Sequence, residues 1–343
     1  MGTDHLMNRQ WRLARRPHGM VTVADFERRD EPVPIVDLDA GEILLRTVML
    51  GFDPAQRGWM DDVPGYVPPI AIGEPVRGSS INQVVASRNS AYPEGALVRG
   101  LYGWQDYAVA CRAGEEPPSL VPTGVTPEQA LGLFGGASFT AYVGIRDVGA
   151  VRAGDTVVVS GAAGAVGSVA LQVARLSGAR VIGIAGGAEK CGWLIDEYGA
   201  DAAIDYRTEN VEERLKALCP DGIDLFFDNV GGAILEAAIA NLAWFGRIVL
   251  CGGVSGYNAE GPVPGPRNLM ELVTRRGTMR GFILLDHLDR IAAASADLAA
   301  WTASGELRYR TDIQQGFENI PDTFLRLFSG ANRGKQLLRL TPD

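Results

Sequence analysis

Residues 157–167 read VVVSGAAGAVG, and this segment is the strongest indication of the fold in the sequence. A β-branched run leads into Gly161, Gly164 and Gly167, and a helical pattern begins at Val166. Glycine permits a tight turn and close approach to the backbone, and a helix N-terminus carries about half a positive charge that favours a pyrophosphate. The strand–turn–helix context predicts a dinucleotide-binding turn. The alternative is a tight turn with close helix packing and no ligand.

The residues around this turn repeat the order strand, turn, helix. Apolar residues from Val166 to Ala174 recur at helical spacing, and Gly178 ends that pattern. Strands with crossover helices between them favour an α/β fold with a doubly wound, parallel, six-stranded Rossmann sheet. The six strands are predicted at residues 156–160, 180–184, 202–204, 223–228, 247–251 and 278–284.

The rest of the chain indicates a second domain, as expected for 343 residues. Residues 10–120 contain short β-rich runs between turn signals, typical of a partly open β-barrel. After residue 284 come too few elements to fold alone, so they are expected to complete the first domain. The predicted domains are 1–125 completed by 290–343, and a nucleotide-binding domain at 126–289.

Composition limits the function classes. A net charge of −9 argues against nucleic acid as a partner, and no apolar run has the ~18 residues that a membrane span needs. The N-terminus lacks the apolar run of a secretory signal. The four cysteines are far apart and only three histidines occur, so we expect reduced thiols, a cytoplasmic location and no metal site.

The end of the second predicted strand indicates which nucleotide binds. NAD sites usually place Asp or Glu there to hold the ribose 2′-OH, but this strand ends in Gly186 and Gly187. Lys190 follows, where its ammonium could meet a 2′-phosphate. We therefore predict NADPH as the cofactor. The alternative is that Lys190 is a solvated helix residue.

Several motifs together resemble the zinc-independent medium-chain dehydrogenases/reductases, in particular the prostaglandin, alkenal and curcumin reductase group. The resemblance spans roughly residues 10–340. The motifs are DPAQRGWM at 53–60, GYVPPIAIGEPVRG at 65–78, GWQDY at 103–107, SGAAGAVGSV at 160–169, FDNVGG at 227–232, FGRIVLCGGVSGYN at 245–258 and GFENIP at 316–321.

The resemblance implies a GroES-like barrel joined to the nucleotide-binding domain, with the active site in the cleft between them. It implies a cytosolic homodimer that reduces the C=C bond of α,β-unsaturated ketones or aldehydes with NADPH and without a metal. Matching positions imply cofactor contacts in the glycine turn, near the adenosine phosphate, beside the ribose, near the nicotinamide and in the tail. They are Gly164, Ala165, Val166, Gly167, Lys190, Tyr206, Asn229, Cys251, Gly252, Gly253, Phe282, Ile283, Leu284 and Asn332.

Tyr257 is the predicted catalytic residue and also a predicted substrate contact. Hydride addition to the β-carbon of an enone builds negative charge on the carbonyl oxygen, and a hydrogen-bond donor there lowers the barrier. The α-carbon then takes a proton. A phenol suits both needs, since it stays protonated at neutral pH. The alternative is a tyrosine that only packs in its loop.

Tyr66 and Arg57 are further substrate candidates. Prolines after Tyr66 would stiffen its loop and present the ring, although plain packing is the other interpretation. Arg57 could orient a polar substrate group or form a salt bridge between loops.

Two other functions stay open from the sequence. One is an NADPH quinone oxidoreductase, because quinones also accept hydride without a metal. The other, from a different class, is a non-catalytic NADPH-binding protein, which a fold alone does not exclude. Turnover of a simple enone separates them.

Overall fold

The computed structural model describes residues 7–33 and 38–340. In chain order the strands are β1 (Met7–Leu13), β2 (Phe26–Pro32), β3 (Ile43–Gly51), β4 (Ser79–Ser87), β5 (Leu97–Gly100), β6 (Tyr107–Ala110), β7 (Ser119–Leu120), β8 (Thr156–Ser160), β9 (Arg180–Ala185), β10 (Ala202–Asp205), β11 (Ile223–Asp228), β12 (Leu242–Leu250), β13 (Thr278–Gly281), β14 (Thr311–Gln315) and β15 (Lys335–Arg339).

The α-helices are α1 (Pro127–Leu131), α2 (Gly136–Val143), α3 (Ala165–Leu176), α4 (Ala188–Asp196), α5 (Val211–Leu218), α6 (Gly232–Ala240), α7 (Met270–Arg275), α8 (Ile291–Ala303) and α9 (Ile320–Ser329). Among the described residues, none of the helices combines the length and the apolarity that a bilayer crossing needs.

The chain divides into two compact units. One unit runs to Leu131 and resumes at Thr311, and the other spans Gly132–Arg310. The first unit contains a seven-stranded sheet in the order β14-β15-β3-β4-β5-β7, with β6 paired to β3. β15 pairs with β3, so the last strands of the chain belong to this sheet. Trp104, Phe52 and Phe324 are among its fully buried side chains.

The second unit is the predicted doubly wound sheet. Its six parallel strands run in the order β10-β9-β8-β11-β12-β13, so the strand order reverses between β8 and β11. Side chains alternate across it. Val157 and Val159 of β8 enter a core with α3, whereas Val158 enters a core with α5 and α6. The predicted α/β fold class is confirmed by this topology.

The segment 290–310 packs in the second unit, although the predicted boundary assigned it to the first domain. Ala294 and Leu298 of α8 are fully buried in the core that contains α3. Gln172 of α3 donates to the Arg308 carbonyl at 2.9 Å and accepts the Arg308 N–H at 2.8 Å. These contacts attach the segment to α3, so the chain returns to the first unit only at Thr311.

Two strands differ from the predicted bounds by more than one residue. β12 begins at Leu242, before the predicted 247, and its register against β11 shifts within the interval Leu242–Arg247. Phe245 has a φ of 60° there, a left-handed conformation that strand propensity does not anticipate. β13 ends at Gly281, so residues 282–283 form a short connection and Leu284 begins the 3-10 helix Leu284–Arg290.

We expect that Gly222→Ala strongly destabilises the protein. Gly222 has a φ of 92°, and an added Cβ would lie 2.5 Å from Ala243 Cα. Backbone strain and this clash together should lower the free energy of unfolding by about 3 kcal/mol. Gly154 has a φ of 89° with no atom within 4 Å of an added Cβ.

Gly154→Ala is therefore the matched control, with an expected loss of about 1 kcal/mol from the backbone alone. Urea denaturation of both variants measures the difference. An equal loss in the two variants would show that the contact with Ala243 contributes nothing.

Candidate active site

The glycine turn lies at the carboxyl end of β8. Gly161 has a φ of 57°, and a Cβ on Gly167 would lie 2.3 Å from the Gly161 carbonyl oxygen. Gly167 is therefore needed for the close packing of α3 on β8. Gly164 is the N-cap of α3 and has no side chain to cap it, so the first-turn N–H groups of Ala165 and Val166 need another acceptor. This turn fits a pyrophosphate group.

A buried hydrogen-bond network joins β8 to β11 beside the turn. Ser160 Oγ donates to Asp228 Oδ1 at 2.7 Å and accepts the Asn229 N–H at 2.8 Å. Asn229 Nδ2 donates to the Ser160 carbonyl oxygen at 2.7 Å. Asp228 Oδ1 also accepts the N–H groups of Val230 and Gly231, at 3.0 and 3.1 Å. Burial raises the pKa of Asp228, and these hydrogen bonds oppose that shift.

The loop after β12 lies against the same network. Cys251 and Gly252 donate their N–H groups to the Asp228 carbonyl oxygen at 2.8 and 3.1 Å. The Tyr257 hydroxyl accepts the Gly253 N–H at 3.2 Å. Burial raises the pKa of the Cys251 thiol to about 12, so this thiol is neutral and a poor nucleophile. The loop thus presents a tyrosine, not a thiolate, at this edge of the sheet.

Two glycines, Gly252 beside Tyr257 and Gly161 in the glycine turn, each lie too close to their neighbours for a side chain to fit without contact. A Cβ on Gly252 would lie 3.1 Å from the Tyr257 hydroxyl oxygen and 3.4 Å from the Asn229 carbonyl oxygen. A Cβ on Gly161 would lie 3.5 Å from Asn229 Cβ. The structure therefore brings together Tyr257, Gly252, Asn229 and the glycine turn, which are predicted site residues from three separate strand ends.

Gly186 and Gly187 follow β9 directly, and residues from two other elements lie next to them. Gly187 donates its N–H to Asp205 Oδ1 at 2.8 Å. Lys190 lies half-buried in the first turn of α4. The Tyr206 ring lies 2.9 Å from the position of a Cβ on Gly186. Lys190 and Tyr206 therefore both lie near the strand end at which an adenosine ribose binds in this class of sheet.

The segment after β13 can contact a ligand mainly through its backbone. A Cβ on Gly144 would lie 2.8 Å from the Phe282 ring, and Phe282 and Leu284 both pack against the core that contains α3. Ile283 lies between them and is half-buried. Since two of the three side chains face the core, the predicted backbone contact is compatible with this geometry.

In the first unit, Tyr66 is half exposed, with 50% of its surface accessible. Its hydroxyl accepts a hydrogen bond from Trp59 Nε1 at 3.2 Å, and the two rings meet edge to face with centroids 6.4 Å apart. Tyr66 is thus an accessible aromatic side chain, oriented by its neighbour. Asn332 is also in this unit, where its Nδ2 donates to the Gly334 carbonyl at 2.9 Å.

Arg57 forms a salt bridge, but the partner lies in its own segment and not in another loop as predicted. Arg57 is 2% exposed, and its Nη1 lies 2.6 Å from Asp61 Oδ1. Its Nη2 donates to the carbonyl oxygens of Pro17 and Gly19 at 3.2 and 3.3 Å. A guanidinium held in this way ties loops of the first unit together, so the predicted substrate contact has no support from the geometry.

Sequence reasoning missed two parts of the site. The Ser160–Asp228 pair spans 68 residues, so no local pattern predicts it. Arg207 was also missed: its Nε lies 2.9 Å from the position of a Cβ on Gly186. The signal available for Arg207 was its place directly after Tyr206.

The fold and this edge define a dinucleotide-binding unit of the doubly wound class combined with a β-barrel unit. In the described ranges 7–33 and 38–340 no group of three His, Cys, Asp or Glu side chains could hold a metal ion, and His5 lies outside them.

Comparison with known proteins adds the family. The model described as the N-terminal domain of oxidoreductase matches residues 9–117, and the model described as zinc-binding dehydrogenase matches residues 165–300. NADPH-dependent curcumin reductase of Escherichia coli is 38% identical over 348 residues and covers 100% of both chains. Prostaglandin reductase 1 of Rattus norvegicus is 36% identical, over 96% of this chain and 98% of its own.

Among solved structures, that of CurA from Vibrio vulnificus in complex with NADPH aligns with a TM-score of 0.89 at 40% identity. The alignment covers 98% of this chain and 100% of that chain. The chain belongs to the medium-chain dehydrogenase/reductase superfamily, in the group that contains the curcumin and prostaglandin reductases. This result confirms the predicted family.

We expect the stability contributed by Asp228 to fall as pH rises. Burial raises its pKa in the folded state, so folding favours the protonated form. The free energy of unfolding of the wild type, relative to Asp228→Asn, should therefore decrease as pH rises from the ordinary range of an aspartate to neutrality. Urea denaturation across this range measures it, with the exposed Asp221→Asn as control. A relative stability that increases with pH would contradict this assignment.

Proposed function

We propose that this chain reduces the C=C bond of α,β-unsaturated ketones or aldehydes with NADPH, by hydride transfer to the β-carbon and without a metal. The observation that carries the proposal is the position of the Tyr257 hydroxyl, which accepts the Gly253 N–H. Gly252 lies close both to this hydroxyl and to the Asn229 backbone, and Asn229 lies next to the glycine turn. A protonated phenol beside a dinucleotide turn suits the stabilisation of an enolate oxygen.

The residues present fit the cofactor. The turn Gly164–Gly167 is shaped for a pyrophosphate by the close approaches that exclude a side chain at Gly167. Lys190 and Tyr206 flank the tip of β9, and Asn229 is held by Ser160. In this proposal Cys251, Gly252 and Gly253 line the nicotinamide side. The bound cofactor supplies the hydride.

Tyr257 has the catalytic role. Its hydroxyl oxygen accepts the Gly253 N–H, and a hydroxyl that accepts a hydrogen bond keeps its own proton to donate. That proton would be directed to the substrate carbonyl oxygen, where negative charge develops during the reaction. Tyr257 is also the group proposed to supply the proton that the α-carbon finally takes, and the phenolate left behind would regain a proton from solvent before the next turnover.

The substrate in this proposal is a small enone or enal. Tyr66 is the proposed further substrate contact, since it is accessible and oriented by Trp59. Asn332 and the backbone of residues 282–284 are proposed to complete the cofactor contacts. A cytoplasmic homodimer, as the resemblance implies, is part of the same proposal. The quinone reductase alternative is not favoured, because the relatives at 36–38% identity are named for curcumin and prostaglandin reduction.

A panel of acceptors tests the function. Purified protein is mixed with NADPH and an alkyl enone, an aryl enone, an enal or a quinone, and the absorbance of the reduced nicotinamide is followed, with NADH in parallel. We expect oxidation of NADPH by enones or enals. Consumption with quinone alone would establish the quinone reductase instead. If no acceptor caused oxidation of NADPH although fluorescence showed that NADPH was bound, the chain would be a non-catalytic NADPH-binding protein.

Gly252→Ala tests the position of Tyr257. An added Cβ would lie 3.1 Å from the Tyr257 hydroxyl oxygen, so the ring must shift. We expect kcat with an enone to fall about 100-fold in Tyr257→Phe, since the loss of one well-placed donor costs at least about that factor. Gly252→Ala should lower kcat less, because it displaces the donor and does not remove it. Thermal stability should be retained in both variants.

Gly261→Ala is the matched control, because it lies further along the same loop and no atom lies within 4 Å of a Cβ there. If Tyr257→Phe turned over enones at the wild-type rate, the proposed donor role would be wrong. Equal losses in Gly252→Ala and Gly261→Ala would mean that the loop itself, and not the tyrosine, is sensitive.

A further inference from the structure

The loop after β10 places a second cation at the tip of β9. Arg207 is exposed, its Nε lies 2.9 Å from the position of a Cβ on Gly186, and its Nη1 lies 3.9 Å from that of a Cβ on Gly187. The same Gly186 position lies 2.9 Å from the Tyr206 ring. The phenol and the guanidinium thus lie across the point at which an NAD site would carry its carboxylate.

The Arg207 guanidinium lies near carboxylates that have other hydrogen-bond partners. Asp205 Oδ1 accepts the N–H groups of Gly187 and Arg207, at 2.8 and 3.0 Å. These backbone hydrogen bonds are the main cause that lowers the pKa of Asp205, and attraction to the Arg207 charge adds to them. Glu209 accepts the Asp205 N–H at 2.8 Å and pairs with Arg214 at 2.7 Å. Among the described residues, Arg207 attracts Asp205 through space but forms no direct salt bridge with it.

The absence of a side chain at Gly186 makes this arrangement possible. Any Cβ there would be too close to Arg207 Nε and to the Tyr206 ring, so both groups would have to move away from the strand tip. An acidic side chain at this position would in addition pair with Arg207. A glycine at the end of β9 therefore both removes the group that selects NAD and makes room for a cation.

We propose that Arg207 is a specificity-determining residue whose guanidinium binds the 2′-phosphate of NADPH at the tip of β9, together with Lys190 and Tyr206. This inference rests on the proposed function. A planar guanidinium can donate two parallel hydrogen bonds to one phosphate, whereas the Lys190 ammonium acts as a point charge. The selection of NADPH over NADH would then depend on Arg207 as well as on Lys190.

Calorimetric titration with 2′,5′-ADP and 5′-ADP tests this assignment without turnover. For Arg207→Gln we expect the Kd for 2′,5′-ADP to rise about tenfold, the usual scale of one charge-assisted contact, with 5′-ADP unchanged. Arg207→Lys should lie between the wild type and Arg207→Gln, because it keeps the charge and loses the fork. Gly186→Ser should also weaken 2′,5′-ADP selectively, by displacing the guanidinium.

Arg152→Gln is the matched control, an exposed arginine just before β8 at the amino edge of the same sheet. It should bind both nucleotides as the wild type does. If Arg207→Gln binds 2′,5′-ADP with wild-type affinity, or loses both nucleotides equally, the inference is overturned while the proposed function stands. If the wild type binds neither 2′,5′-ADP nor NADPH, the proposed function fails as well.

Discussion

The hydrogen bond from Ser160 to Asp228 is the interaction on which the carboxyl edge of the sheet depends. It is buried and joins β8 to β11, where the strand order reverses. The same carboxylate accepts two backbone N–H groups of the next turn, and the Asp228 carbonyl accepts two from the loop after β12. Breaking it would leave a buried polar group without its partner, which is costly in a low-dielectric core.

Backbone groups and side chains have different roles at this edge of the sheet. Backbone groups and glycines shape it, because a pyrophosphate and a packed helix both need close approach to the main chain. Side chains enter from the loops after β9, β10 and β12, where substitution disturbs the sheet least. Tyr257 is half-buried and Arg207 is exposed, and each lies beside a glycine whose lack of a side chain leaves room for it. In our proposals one serves the reaction and the other selects the cofactor.

Much of the fold could be predicted because it depends on local patterns. The predicted bounds of β8 and β11 agree with the structure. The helical pattern after Val166 forms α3, which ends at Leu176, two residues before Gly178 with its φ of 85°. β12 was predicted too short, because Phe245 adopts a left-handed conformation that strand propensity does not anticipate. The assignment of residues 290–310 differed because Gln172 binds Arg308 across 136 residues.

For the site, the glycine turn, the missing carboxylate after β9 and the residue types available for chemistry could be read from the amino-acid sequence alone. These properties depend on spacing along the chain, which local conformation preserves. The sequence did not reveal that Arg57 is buried in an ion pair, that the Tyr257 hydroxyl contacts Gly253, or that Arg207 lies beside Gly186; these facts required the folded structure. Arg57 is buried because it also binds the carbonyls of Pro17 and Gly19, which are distant in the chain. Arg207 approaches Gly186 because β10 lies next to β9 in the parallel sheet. The contact between Tyr257 and Gly253 depends on the conformation of an irregular loop, which no periodic pattern in the sequence describes.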